Sequence, residues 1–410
     1  MVKLSHRIGV FGVAVATALG LTACADNGSE ADTTHAGTSE TASAQSGTSQ
    51  ARTAEGAVTV TDAAGRTLQF NELPERIVLA EGRAAYATAL LQDEPLHNVV
   101  AYGQDLEKAA GAFRDKLFEL QPEAKDMPTI GMIQKGDVTV ENLLAQKPDV
   151  VIMTLDQKKA VEESGFLSDM DAAGLKYAFI DFRQKPLENT TVSMQLLGDL
   201  LGQSERAEKY NEFYNAKVKE ITDRVAETTD RPDVLIWMAA GFNDCCAVAG
   251  DSNLGTLVTA AGGHNLGPEV LGADSTTITA EKLIELNPDK IIVTGGEWAR
   301  DPNRTDAIRH VELGYQSSPE LALQTCDGPL NQAGMDQLDA TKTGNYFAVY
   351  HQFYDNPYNV FALEAFAKWI HPEQFADLNP TQDFKDFHKE WLPFEYSGAF
   401  FIDPANPEES

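Results

Sequence analysis

Two arginines stand at corresponding places in this chain. Arg83 comes three residues after the apolar run Arg76-Ile77-Val78-Leu79-Ala80, and Arg183 three residues after Tyr177-Ala178-Phe179-Ile180. A guanidinium is a planar fork that grips carboxylate or catecholate oxygens in pairs, so two of them could clasp an anionic metal chelate. Glu81, Tyr86, Asp156, Gln157 and Asp181 lie close to them in sequence. The second half of the chain adds Asn243, Asp244, Glu297, Trp298, Arg300, His351 and Tyr354, again after apolar runs. Tyr86, Trp298 and Tyr354 offer flat apolar faces to a bulky ligand. Each residue also has a plainer role: Arg83 and Arg183 can pair with Glu81 and Asp181, Tyr86 and Trp298 can anchor a core, and His351 can serve as hydrogen-bonded structure.

What makes these residues a set is the elements before them. Apolar β-branched runs alternate with helical stretches, a pattern that predicts mainly parallel sheets. In such sheets a ligand sits beyond the carboxyl ends of the strands. Val58-Thr59-Val60-Thr61 and Thr67-Leu68-Gln69-Phe70 flank a turn and predict a small hairpin. Strands follow at 76–80 and 177–180, with helices around 84–91 and 109–120. One unit occurs twice: Thr139-Val140-Glu141-Asn142-Leu143, Lys147-Pro148-Asp149 and Val150 to Thr154 return as Thr279-Ala280-Glu281-Lys282-Leu283, Asn287-Pro288-Asp289 and Lys290 to Thr294. A capped helix, a proline stop and a buried strand, repeated at a domain's distance, predict two lobes built to one plan. Between them Ala207, Tyr210, Tyr214, Val218, Ile221 and Val225 keep helical spacing from a start near Ser204. The fold class predicted is α/β: two Rossmann-like lobes joined by a long interlobe helix, with a ligand cleft between them.

The N-terminus predicts export. A short basic region with Lys3 and Arg7 precedes the apolar segment 8–19, too short for a stable membrane anchor. Residues 25–57 are mostly Ser, Thr, Ala, Gly and acidic side chains without apolar period, a composition that builds no core. Such a coil reaches roughly 30 Å. The organisation expected is a signal peptide at 1–23, a tether at 24–57, one lobe at 58–186, linking helices at 187–228 and a second lobe at 229–410. Acidic residues outnumber basic ones 62 to 32, with no basic cluster, which argues against a nucleic-acid partner.

Cysteine usage leaves alternatives open. Beyond Cys24 there are Cys245, Cys246 and Cys326. In an exported chain a disulfide from the adjacent pair to Cys326 is expected, with a bridge between the neighbours as the alternative. A reduced thiol at 245 or 246, with His264 or His351 as base, would instead make a surface thiol enzyme. The sequence has no His-Glu-x-x-His, no Gly-x-x-x-x-Gly-Lys and no Gly-x-Ser-x-Gly, and we read the chain as a binding protein rather than an enzyme, with no catalytic cofactor and no metal bound directly by its side chains.

Leu21-Thr22-Ala23-Cys24 resembles the lipobox of bacterial lipoproteins, which implies acylation of Cys24 and attachment to the outer face of the cytoplasmic membrane. From about Val58 to Pro393 the chain resembles ABC-transporter substrate-binding proteins of the iron-siderophore, haem and cobalamin class. The resemblance rests on Val60 to Arg66, Pro74 to Val78, both copies of the Glu-x-Leu…Pro-Asp unit, Ala260 to Gly263 and the closing Tyr350 to Val360 and Ala367 to Pro372. It implies a monomer that delivers a ferric siderophore to a permease and its ATPase, with Glu141 and Glu281 as the two docking carboxylates. Haem or cobalamin is the alternative cargo. Tyr350 and His351 face opposite ways if their strand continues, so only one of them would serve as an axial ligand.

Overall fold

The computed structural model describes residues 56–242, 245–271, 277–299 and 308–409. The predicted signal segment, Cys24 and the tether lie outside these residues, as do Asn243, Asp244 and Arg300. Twelve strands are found among the described residues: β1 Val58–Thr61, β2 Thr67–Phe70, β3 Ile77–Leu79, β4 Val99–Gly103, β5 Thr129–Ile130, β6 Val150–Thr154, β7 Tyr177–Ile180, β8 Asp233–Trp237, β9 His264–Asn265, β10 Lys290–Gly295, β11 Tyr346–Tyr350 and β12 Phe401–Ile402. β1 and β2 form the predicted hairpin. The first lobe is a parallel sheet in the order β5-β4-β3-β6-β7, and the second has the order β12-β11-β10-β8-β9, parallel except for β12. Their strands are buried on both faces, as parallel strands covered by helices must be.

Asp62 ties the hairpin to the first sheet. Its carboxylate accepts the N–H groups of Ala64 and Arg66, takes the Arg66 guanidinium, and also accepts the Phe179 N–H of β7. Gly65 completes the turn at φ 76°, a left-handed value that favours glycine.

The repeated unit is repeated in structure. Thr139 and Thr279 cap the helices Val140–Gln146 and Ala280–Leu286, each accepting the N–H three residues on at 3.2 Å. Leu143 and Leu283 are the buried anchors of these short helices. Lys147 and Asn287 end them in the left-handed conformation, with φ 51° and 39°. The aspartate that follows then reaches the start of the neighbouring strand: Asp149 accepts the N–H groups of Glu75 and Arg76, and Asp289 that of Asp233, all at 2.9 Å. The Pro-Asp step thus sets the register of β6 on β3 and of β10 on β8.

Two helices, Pro186–Leu200 and Ser204–Val225, follow the first sheet. The second is about 33 Å long at 1.5 Å per residue. Ser204 begins it, and the N-cap residue before it, Gln203, makes no side-chain capping hydrogen bond. Its Tyr210 hydroxyl donates to the Pro357 carbonyl, and Tyr214 reaches Asn359. Arg206 donates to the carbonyls of Leu90, in the first lobe, and Trp391, between β11 and β12 of the second. The helix therefore holds both lobes, as its amphipathic spacing predicts. A helix Pro380–Trp391, not predicted, packs an aromatic layer of Phe384 and Phe387 against Phe361.

Candidate ligand cleft

The residues that follow the strands of both sheets meet in one buried layer. After β3 the chain turns through Glu81, Gly82 and Arg83, and the turn is pinned by Asp105, whose carboxylate accepts the N–H groups of Gly82 at 2.8 Å and Arg83 at 2.9 Å. Gly82 is required here, because a Cβ would collide with the Gly103 carbonyl at the end of β4. After β7, Asp181 caps its own turn, accepting the N–H groups of Arg183, Gln184 and Lys185. Arg183 does not pair with it.

Both guanidinium groups are instead engaged across the cleft. Arg83 bonds Glu81 within its own lobe, and Gln352 at 3.1 Å and Tyr354 at 2.5 Å from the other; Asp355 lies 3.0 Å away. Arg183 donates to Asp156 at 2.5 Å and holds Asp355 through both carboxylate oxygens, at 3.1 and 2.5 Å. Tyr354 lies under both, its ring 5.3 Å from the Arg83 and 4.9 Å from the Arg183 guanidinium carbon. These are the cation–π and bidentate contacts that arginine makes best.

Proton distribution follows from burial. Desolvation drives the Glu81 carboxyl well above the usual carboxylate range, although Arg83 opposes it. Burial acts on Asp355 in the same sense, but Arg183 and Arg83 outweigh it and hold the group below its ordinary value. Of the two, Glu81 is therefore the group whose protonated form burial favours, and Asp355 the one whose charge the arginines favour. His351 is pushed down to about 3, by burial first and then by Arg83 and Arg183, so its imidazole is neutral.

Above this layer lies an aromatic wall. Phe242, which is exposed, packs on Trp298 with ring centroids 4.8 Å apart, and Trp298 meets His351 edge-on at 5.0 Å. His351 is 4.7 Å from the Tyr354 ring, and its Nδ1 is 2.7 Å from the Thr294 hydroxyl at the end of β10. Trp298, His351, Tyr354 and Arg183 are half-buried and offer part of their surface to a ligand.

Several expectations are corrected. Tyr86 is wholly buried, stacked on Phe113 at 3.7 Å, and presents no face to a ligand. The strand rule for Tyr350 and His351 does not apply, because β11 ends at Tyr350 and the chain turns into a short 3-10 helix at His351. Tyr350 is committed to the Tyr86 hydroxyl at 3.0 Å, which removes it as an axial ligand. Cys245 and Cys246 are bonded to each other, and Cys326 is free and buried at the end of the helix Pro319–Cys326, so the disulfide joins neighbours. Burial pushes the Cys326 thiol up to about 12. With the other two sulfurs joined, the thiol-enzyme alternative has no nucleophile at 245 or 246. Asp105, Gln352 and Asp355 were missed; Gln352, adjacent to His351, and Asp355, adjacent to Tyr354, stood beside residues chosen from sequence. Glu141 and Glu281 are exposed in the first turns of their helices.

A family model described as periplasmic binding protein matches residues 108–314. The chain belongs to that family. It is 20% identical over 289 residues to YvrC of Bacillus subtilis, an uncharacterised ABC transporter substrate-binding lipoprotein, covering 68% of this chain and 84% of that one. Among solved structures, the TroA-like periplasmic binding protein FepB of Veillonella parvula is 25% identical, with a TM-score of 0.73 over 84% of this chain and 99% of its own. MolA of Haemophilus influenzae, solved with molybdate, shares the fold at 17% identity and a TM-score of 0.61, over 83% and 99% of the two chains. This periplasmic binding protein thus has the two-lobed, TroA-like architecture.

Proposed function

We propose that this periplasmic binding protein is the substrate-binding lipoprotein of an ABC importer and that its cargo is a ferric siderophore-type complex. Cys24 carries the lipid and holds the protein, as a monomer, at the outer face of the cytoplasmic membrane. Glu141 and Glu281 dock the two lobes on a permease, whose ATPase drives transport. The protein performs no chemistry on its cargo.

The observation that carries this reading is the half-exposed wall of Phe242, Trp298, His351 and Tyr354, set where the carboxyl ends of the two sheets face each other. Flat apolar faces over a hydrogen-bonded polar layer suit a bulky chelate, which needs contact area with a few fixed polar groups. The test is a titration of the domain from residue 58 onwards with ferric siderophores, haem and cobalamin, followed by Trp fluorescence. Binding of a ferric chelate supports the reading; no response to any of them overturns it.

Haem is the second reading. His351 favours it, since a neutral imidazole beside Trp298 and Tyr354 is in the state that ligates iron. A Soret shift on adding haem that His351→Ala abolishes would select this alternative.

A further inference from the structure

Arg83 and Arg183 are the side chains that would be expected to grip an anion, and their donors are already taken. On Arg83, Nε bonds Glu81 and lies 3.2 Å from Asp105, Nη1 bonds Gln352 and Tyr354, and Nη2 bonds Glu81 with Asp355 3.0 Å away. On Arg183, Nε and Nη2 bond Asp355 and Nη1 bonds Asp156. Among the described residues, two guanidinium groups therefore face four carboxyl groups: Glu81, Asp105, Asp156 and Asp355. Even with one of the four protonated, the layer carries more negative than positive charge. The second Asp156 oxygen, Oδ1, is buried and has no hydrogen-bond partner among the described residues. An incoming anion would meet an excess of like charge and no vacant bidentate fork, and would have to displace a buried carboxylate to obtain one.

We infer that this cleft selects a neutral or cationic metal chelate over an anionic one, and that Asp355 is the residue that sets the selectivity by occupying both arginines at once. The inference rests on reading the cleft as the cargo site, and it narrows the siderophore class from carboxylate and catecholate chelates to those without net negative charge. Asp355 does this from the second lobe while both arginines belong to the first, so the charge match is made only where the lobes meet. Asp156 has the lesser share, since it holds Arg183 alone and lies nearer solvent.

Two chelates of opposite charge test this: ferric desferrioxamine B, a cationic trihydroxamate, and ferric citrate, an anionic polycarboxylate. Wild-type protein is expected to bind the trihydroxamate at least tenfold more tightly than ferric citrate. Asp355→Asn removes the carboxylate that grips the Arg183 fork and touches Arg83 Nη2, and it is expected to raise ferric citrate affinity at least tenfold. Asp156→Asn should raise it less, and Asp355→Glu should leave the wild-type preference. Thermal melting checks the fold of each variant; if Asp355→Asn does not fold, the more exposed Asp156→Asn carries the test. Ferric citrate bound by wild type as tightly as the trihydroxamate, or no gain in the folded Asn variants, would overturn the inference while leaving a ferric cargo intact. If wild type binds neither chelate, the ferric-cargo reading fails, and the gain of ferric citrate binding in the Asn variants still decides the role of Asp355.

Discussion

The hydroxyl of Tyr86 lies 3.0 Å from that of Tyr350, and the two rings come from different lobes. Neither hydroxyl is exposed, and burial raises both phenols well above their ordinary range, so they meet as neutral groups. Tyr350→Phe leaves the Tyr86 hydroxyl buried alone and should cost about 1–3 kcal/mol of stability. Removing both hydroxyls should cost less than the two single changes added together. A double-mutant cycle by urea unfolding measures the difference. Additive single and double changes would show that the hydroxyls do not depend on each other.

The aspartates of the duplicated unit should differ in weight although they occupy the same place. Asp149 accepts two N–H groups and Asp289 one among the bonds described here. At roughly 1 kcal/mol for each such bond, Asp149→Ala should destabilise by about twice as much as Asp289→Ala. Urea unfolding midpoints of the two variants compare them directly. An equal loss, or a larger one at Asp289, would contradict the pinning role.

This duplication was the most legible part of the sequence, because each of its features is local: a capping threonine, a buried leucine, a stop and an apolar strand. The amphipathic helix over Ser204–Val225 was legible for the same reason. The floor of the cleft was not. Arg83 and Arg183 were visible as strand-end residues, but their partner Asp355 lies more than 170 positions away in the chain, and no local spacing connects them. Asp105 was hidden too, since its carboxylate pins the turn after a different strand. Strand alternation misplaced Tyr350 and His351 because it assumes that a strand continues, whereas here it ends between them.

Glu364 should make stability depend on pH. It is buried on the helix Asn359–Ile370, with Oε2 3.3 Å from the Lys217 amine, which also bonds Asp383. Burial and the hydrogen bond with Asp383 outweigh Lys217 and push the carboxyl up to about 8. The folded protein therefore holds a proton that the unfolded chain releases near pH 4.5. The resulting stabilisation is fully present below that value and is lost as pH rises through 8. Glu364→Gln should flatten the decline, which is on the order of 4 kcal/mol between pH 5 and 9 at about 1.4 kcal/mol per pH unit. Urea midpoints measured across that range for both proteins check it. An unchanged slope in the variant would rule the group out as its source.

Glu141 and Glu281 should matter for delivery and not for capture. Both are fully exposed, and each is held ionised by hydrogen bonds from its own backbone N–H and from the capping threonine, Thr139 or Thr279. Among the described residues neither makes a cross-lobe hydrogen bond or ion pair, and the cleft residues lie on other turns. Their ordering in the first turn of a helix fixes one charge on each lobe, an arrangement suited to two cationic sites on a two-fold permease. Charge pairs at a rim of this kind govern encounter and its salt dependence more than final affinity. Glu141→Ala and Glu281→Ala should therefore leave cargo affinity within twofold of wild type. In proteoliposomes containing the permease and ATPase, each should lower the ATPase stimulation by the loaded protein, and the double variant should lower it further. Raising ionic strength should weaken wild type more than the double variant. Full stimulation by the double variant would remove these two glutamates from the docking surface without touching the assignment of the cleft.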